Sequence, residues 1–279
     1  MSLKSISTKR TAALIFAGAA LSVPAPAVFP DNPTNDYKAV GMIGNVTGKT
    51  FKQNGCGVAI APTWVVGVAH VGGNVFVEEK TVYPIIKKIT IRLKDGESPD
   101  LALYQLAKPV PYQAEFLNRP LKTAEIKNGA EISIVGYGNT ATFRSDGKGW
   151  DPTKGSEGVR RVATNRIDLA EEDRYNIGTA ASPKWKTSDA IAYDLDKPGD
   201  DSFSSLGGGA TSHEGGMGAK DSGGGWFIND NGKPKLVAVG ASVGLLKGAM
   251  TSPYRYGGIG FGVYLWSYRD WIGKTAGLK

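Results

Sequence analysis

The chain has 279 residues, a formal net charge of +7, 21% charged and 41% hydrophobic residues, and 38 glycines. That length gives room for one large or two ordinary domains with a sizeable core. A single cysteine excludes an intramolecular disulfide framework, one cysteine and two histidines argue against a zinc site built on them, and the basic residues form no run of the kind that marks a nucleic-acid face.

The N-terminus reads as an export address. Lys4, Lys9 and Arg10 make a positive head, residues 11–23 are largely apolar, and Ala25-Pro26-Ala27 supplies small residues at the −3 and −1 positions of a cleavage site. The apolar run is too short for a transmembrane helix, and no later stretch reaches ~18 apolar residues. Residues 1–27 are therefore expected to be a signal peptide, and the mature protein to be secreted or periplasmic. Short runs rich in β-branched and aromatic residues follow, at 37–43, 56–60, 64–69, 89–93, 101–106 and 132–137. A second set lies at 159–167, 189–195, 225–228, 236–243 and 260–265. Turn signals separate them, among them Asp95-Gly96, Asp146-Gly147, Asn231-Gly232 and Thr251-Ser252-Pro253. Residues 108–120, with Pro109, Pro111 and Pro120, suggest a connector, and the polar stretch 142–216 is expected to carry long surface loops. Leu265, Tyr268 and Ile272 recur at i, i+3 and i+7, which predicts a C-terminal helix. The pattern is all-β, with two barrels spanning 28–120 and 121–279.

Three settings carry chemistry. His70 closes the apolar run Trp64-Val65-Val66-Gly67-Val68-Ala69, Asp100 opens Leu101-Ala102-Leu103, and Ser222 sits in Lys220-Asp221-Ser222-Gly223-Gly224 ahead of another apolar run. Each alone has a plain structural explanation. Together they supply what serine-based amide hydrolysis needs: a nucleophile, a base to take its proton, and a carboxylate to orient that base. Glycines around the serine let backbone N–H groups turn inward toward an oxyanion.

The order His70, Asp100, Ser222 and the segments around them resemble the trypsin/chymotrypsin-like serine endopeptidases, in a bacterial-type, disulfide-free version. Gly57 through His70 is similar to the family's lead into its histidine, and Asp100-Leu101-Ala102-Leu103 to its aspartate strand. Ile132-Ser133-Ile134-Val135-Gly136-Tyr137-Gly138 resembles the opening of its second barrel, and Tyr268-Arg269-Asp270-Trp271-Ile272 its closing helix. The resemblance implies two six-stranded antiparallel β-barrels with a short C-terminal helix. It also implies His70 as base, Asp100 as its orienting acid, Ser222 as the acylated nucleophile, and the N–H groups of Lys220 and Ser222 as the oxyanion hole. Ser242, Val243 and Gly244 would pair with substrate backbone. Gly216 would stand at the base of the specificity pocket, where the lack of an acid points to an apolar or small P1 residue. His213 is expected to be an exposed loop histidine. Peptide or protein substrates, a monomer, and no cofactor, metal, nucleic acid or membrane after signal removal complete the expectation.

The chain departs from the family pattern in three places. Lys220 stands where the family has glycine, so a Cβ occupies a backbone position that glycine adopts freely. Val71 replaces the half-cystine that follows the histidine in many relatives, leaving Cys56 as a small buried residue. No Ile-Val-Gly-Gly activation site is present; signal cleavage is expected to expose Val28 as the amine that pairs with Asp221, unless an internal donor satisfies that carboxylate.

Other readings fare less well. Gly240-Ala241-Ser242-Val243-Gly244 fits an esterase elbow, but that fold needs a histidine after the serine and none follows Ser242. Asp194, Asp196, Asp200 and Asp201 suggest a calcium site, against which stands a solvated acidic loop. The alternative from another class is a catalytically impaired protease fold serving as a binding module.

Overall fold

In the computed structural model, the described residues are 28–92, 98–176, 185–244 and 252–278. The expected signal peptide and the Asp95-Gly96 turn lie outside them. Among the described residues, no helix is long and apolar enough to cross a membrane.

The first half is a closed barrel of six strands. They are β1 (Val40–Thr47), β2 (Thr50–Ala61), β3 (Trp64–Gly67), β4 (Val75–Glu78), β5 (Thr81–Thr90) and β6 (Ala102–Leu106). The antiparallel order is β1-β2-β3-β6-β5-β4. Full closure leaves no unpaired edge. Ile43, Val58, Val65, Val66, Leu101, Leu103 and Tyr104 fill its centre with almost no solvent contact. Burial of each such side chain contributes about 1.5–3 kcal/mol.

The second half is built on a seven-stranded antiparallel sheet in the order β10-β7-β13-β14-β15-β12-β11. Its members are β7 (Glu131–Gly136), β10 (Arg161–Arg166), β11 (Leu169–Asn176), β12 (Trp185–Asp194), β13 (Gly225–Asp230), β14 (Lys233–Gly244) and β15 (Ile259–Tyr264). A small sheet of β8 (Ala141–Phe143) and β9 (Trp150–Pro152) stands beside it. The fold is chymotrypsin-like. The second unit has seven strands rather than six because β11, a polar segment, pairs along its whole length with β12. Much of the stretch expected to be long surface loops is therefore sheet. A short helix α1 (Thr123–Lys127) opens this half; of the i, i+3, i+7 residues, Leu265 and Tyr268 lie in a 3-10 turn (Leu265–Tyr268) and Ile272 in the helix α2 (Arg269–Ala276) that follows it. Leu265, Tyr268 and Ile272 pack into the same apolar cluster as the first barrel, which ties the chain's end back across both halves.

The described chain opens against the second sheet. Phe29 forms a bridge with Gly216 and Pro33 with Arg161, and Val28 and Phe29 are buried in the second apolar cluster.

Candidate active site

Strand register brings the first two residues together. β3 ends at Gly67, which pairs with Ala102 at the start of β6. His70 lies just past the end of one strand and Asp100 just before the start of the other, so they meet at one rim of the barrel. His70 Nδ1 lies 2.6 Å from Asp100 Oδ2, and the His70 N–H donates to Asp100 Oδ1 at 2.9 Å. Asp100 is fully buried and His70 keeps 22% side-chain exposure, so the ring can meet a ligand while the carboxylate cannot. The Asp100 N–H donates to Ser188 Oγ at 3.1 Å, and the Asp189 N–H donates to the Tyr268 hydroxyl at 2.9 Å. β12 thus reaches across to hold the Asp100 backbone, and Tyr268 in turn holds β12 at the next residue.

The His70 segment is also braced from below. Lys88 on β5 donates to the carbonyls of Ala69 at 2.6 Å and Val71 at 2.7 Å. The buried Tyr104 hydroxyl lies 2.8 Å from the Val68 carbonyl and 2.7 Å from that of Val71. These contacts hold the segment where many relatives of the resembled family have a disulfide.

Ser222 comes in from the second half. Its carbonyl accepts the Cys56 N–H of β2 at 2.8 Å, and the neighbouring Gly55 faces both Ser222 and Val71, the residue after His70. Gly223 has φ +89°, and a Cβ there would lie 2.1 Å from the Cys56 carbonyl, so only glycine permits this approach. The three residues are therefore gathered where the halves meet. Among the described residues, no hydrogen bond joins the Ser222 hydroxyl to His70, and neither the Ser222 nor the Lys220 N–H donates to a protein acceptor. Two N–H groups two residues apart are thus available to a ligand beside the serine.

Lys220 adopts φ +67°, the left-handed region that disfavours a residue with a Cβ by roughly 1–2 kcal/mol. Its carbonyl accepts from Cys56 Sγ at 3.1 Å and Gln53 Nε2 at 3.2 Å, and its ammonium pairs with Glu157. Cys56 is fully buried, as expected, and burial raises its thiol pKa well above the usual range. Asp221 is buried too. Its carboxylate accepts the N–H groups of Gly138 at 2.9 Å, Gly218 at 3.0 Å and Val28, while burial pushes its pKa up to about 7. A Cβ at Gly136 would lie 2.0 Å from that carboxylate.

The remaining expected residues are placed as follows. Ser242, Val243 and Gly244 pair with Phe261, Gly260 and Ile259 of β15, beyond Val239 where the β13–β14 register ends. Gly216 is buried: its N–H and carbonyl pair with Phe29, and a Cβ there would lie 2.5 Å from the Tyr193 hydroxyl. Nothing local in the sequence marks Tyr193, because only the fold sets it against Gly216 and Gly260. His213 is exposed, its Nδ1 3.0 Å from the Ser212 hydroxyl. Asp194 and Asp196, expected in a solvated acidic loop, are fully buried because β12 carries Asp194 into the sheet, where Leu206 and Ser205 N–H groups bond it. Among the described residues, no group of three or more His, Cys, Asp or Glu has the geometry of a metal site.

A family model described as Trypsin matches residues 34–156. Over that stretch the chain is similar to the trypsin family. The matched stretch includes His70 and Asp100 and stops short of Ser222. Among solved structures it is similar to one titled Kallikrein-related peptidase 10, with 14% identity and a TM-score of 0.51, covering 90% of this chain and 100% of that one. At that identity the likeness speaks for the fold. No curated protein matches the sequence. The trypsin-family match and the chymotrypsin-like fold together support a serine protease.

Proposed function

We propose that the protein is an exported serine endopeptidase that cleaves peptide bonds through His70, Asp100 and Ser222. The observation that carries this reading is the buried Asp100 carboxylate held 2.6 Å from His70 Nδ1. An acceptor there fixes the tautomer that leaves Nε2 free to accept a proton. Ser222 Oγ attacks the scissile carbonyl as His70 takes its proton, and the oxyanion accepts the N–H groups of Lys220 and Ser222. His70 then returns the proton to the leaving amine, and water repeats the sequence to release the acyl group. The missing Ser222–His70 bond fits a free enzyme, because such bonds tighten when substrate is bound.

Substrate backbone pairs with Ser242, Val243 and Gly244, the part of β14 beyond its β13 partner. Enclosure of Gly216 by Tyr193 supports a small or apolar P1 residue. Removal of residues 1–27 frees the α-amine of Val28, whose nitrogen already faces the Asp221 carboxylate. A charged pair there fixes the turn that carries Lys220 and Ser222. The mature protein acts as a monomer outside the cytoplasm, its two units divided near residue 120.

A second reading, an impaired protease fold used as a binding module, is favoured by the left-handed Lys220. Digestion of a peptide library by the mature protein and by Ser222→Ala separates the two. Cleavage by the first and none by the second supports the peptidase; cleavage by neither supports the binding module, and equal cleavage by both excludes Ser222.

A further inference from the structure

Two sets of contacts converge on Lys220 from opposite halves of the molecule. From the first barrel, Cys56 Sγ and Gln53 Nε2 donate to its carbonyl at 3.1 and 3.2 Å. From the second half, Glu157 pairs with its ammonium. Glu157 is itself anchored, because its N–H donates to Asn139 Oδ1 at 3.1 Å and the following Gly158 N–H donates to the Tyr137 carbonyl at 2.8 Å. Asn139 in turn donates its N–H to the Ala219 carbonyl at 3.4 Å, and Gly138 bonds Asp221. The residues on both sides of Lys220 are therefore tied to the strand-end segment 137–139, and Glu157 adds a tie that reaches the side chain.

A glycine at this position needs no such tie, because φ +67° costs it nothing. A lysine there is pulled toward negative φ by its Cβ, and turning the peptide would carry its N–H away from Ser222. The ion pair opposes that turn. Both partners are about two-thirds buried, with exposures of 31% and 30%, so the pair is shielded from solvent more than a surface salt bridge is. Glu157 is held below the usual carboxylate range, first by its bond to Lys220, so it stays charged at neutral pH.

We propose that Glu157 is a positioning residue, which through its ion pair holds Lys220 in the left-handed conformation that aims its N–H at the oxyanion. The inference rests on the reading of Ser222 as nucleophile. It assigns to a residue far from Ser222 in sequence the task of making lysine serve where a glycine would serve unaided.

The test is a set of variants: Glu157→Ala, Glu157→Gln, Lys220→Met, Lys220→Gly and the double variant Glu157→Ala with Lys220→Gly. Each is measured for kcat and KM on one peptide substrate and for affinity toward a peptide boronic acid, which forms a tetrahedral adduct on serine. Complete loss of an oxyanion donor costs on the order of 10²–10³ in turnover. A donor displaced rather than lost is expected to cost about 10-fold. Glu157→Ala should lower kcat and boronate affinity together by that factor, with KM within about twofold. Lys220→Met should do the same, and Glu157→Gln, which keeps a hydrogen-bond acceptor, should fall between. In the Lys220→Gly background the Glu157→Ala effect should vanish. Wild-type kcat and boronate affinity in Glu157→Ala would overturn the proposal. A crystal structure of Glu157→Ala decides it independently of activity. Residue 220 at negative φ upholds the latch even if no protein in the set hydrolyses peptide, which would fault only the peptidase reading; residue 220 still at positive φ overturns the latch.

Discussion

Lys88 offers the sharpest test of how the His70 segment is held. The Lys88→Met substitution keeps most of the aliphatic stem and removes the ammonium that bonds the Ala69 and Val71 carbonyls at 2.6 and 2.7 Å. Hydrogen bonds from a charged donor contribute about 1.5–3 kcal/mol each. Two facts reduce that figure here. The residue as a whole is exposed, and partial burial of the ammonium lowers its pKa, so its charge is held at some cost. The Val71 carbonyl also keeps its bond to Tyr104. A net loss of about 1 kcal/mol follows, or roughly 2–4 °C in Tm for a chain of this size. Urea denaturation and thermal melting at pH 7 measure it directly. The rate of Ser222 acylation by a fluorophosphonate should fall at the same time, because the carbonyls released flank His70. A change below about 0.3 kcal/mol, with acylation unaltered, would refute the claim that Lys88 braces this segment.

Further outcomes follow from the same geometry. Asp100→Asn should fold normally and lose about 10⁴-fold in kcat, since an amide facing His70 Nδ1 favours the wrong tautomer; steady-state kinetics on the library-derived peptide will show it. The buried carboxyls predict an unusual dependence of stability on pH. Burial pushes Asp196 up to about 6 and Glu214 and Asp221 up to about 7, and it holds Asp168, beside Asp194, well above the usual range. The folded chain then binds more protons than the unfolded chain between about pH 4 and 7. The stability these groups contribute is full below pH 4 and is lost as pH rises through their folded values. A tenfold weaker acid in the folded chain corresponds to about 1.4 kcal/mol, so Tm should drop by several degrees between pH 5 and 8; a rise over that range would contradict the assignment. In mature protein with a free Val28 amine, the Asp221 share of that drop should disappear.

Much of the site is legible because its residues stand at the ends of strongly apolar strands. β3 and β6 read clearly from Trp64-Val65-Val66 and Leu101-Ala102-Leu103, and His70 and Asp100 sit at their tips. Ser222 is marked by the glycines that its close approach to Cys56 requires. What depends on partners far along the chain stays hidden. β5 spans Thr81–Thr90 with Pro84 and Lys87-Lys88 inside it, and most of its residues are exposed. It has no apolar alternation to betray it, yet it pairs with both β4 and β6. β11 is likewise polar and is a strand because β12 lies alongside. The Lys88 brace, the Glu157 latch and the Tyr193 cover over Gly216 each join residues more than fifteen positions apart, and no local pattern announces such contacts.

The central claim is that Ser222 is an activated nucleophile. Intact-mass measurement after exposure of the folded mature protein to a fluorophosphonate probe tests it most directly, with Ser222→Ala and His70→Ala as controls. The account predicts one adduct on Ser222 in the wild type and none in either variant. An unmodified wild type, or equal modification of Ser222→Ala, would contradict it.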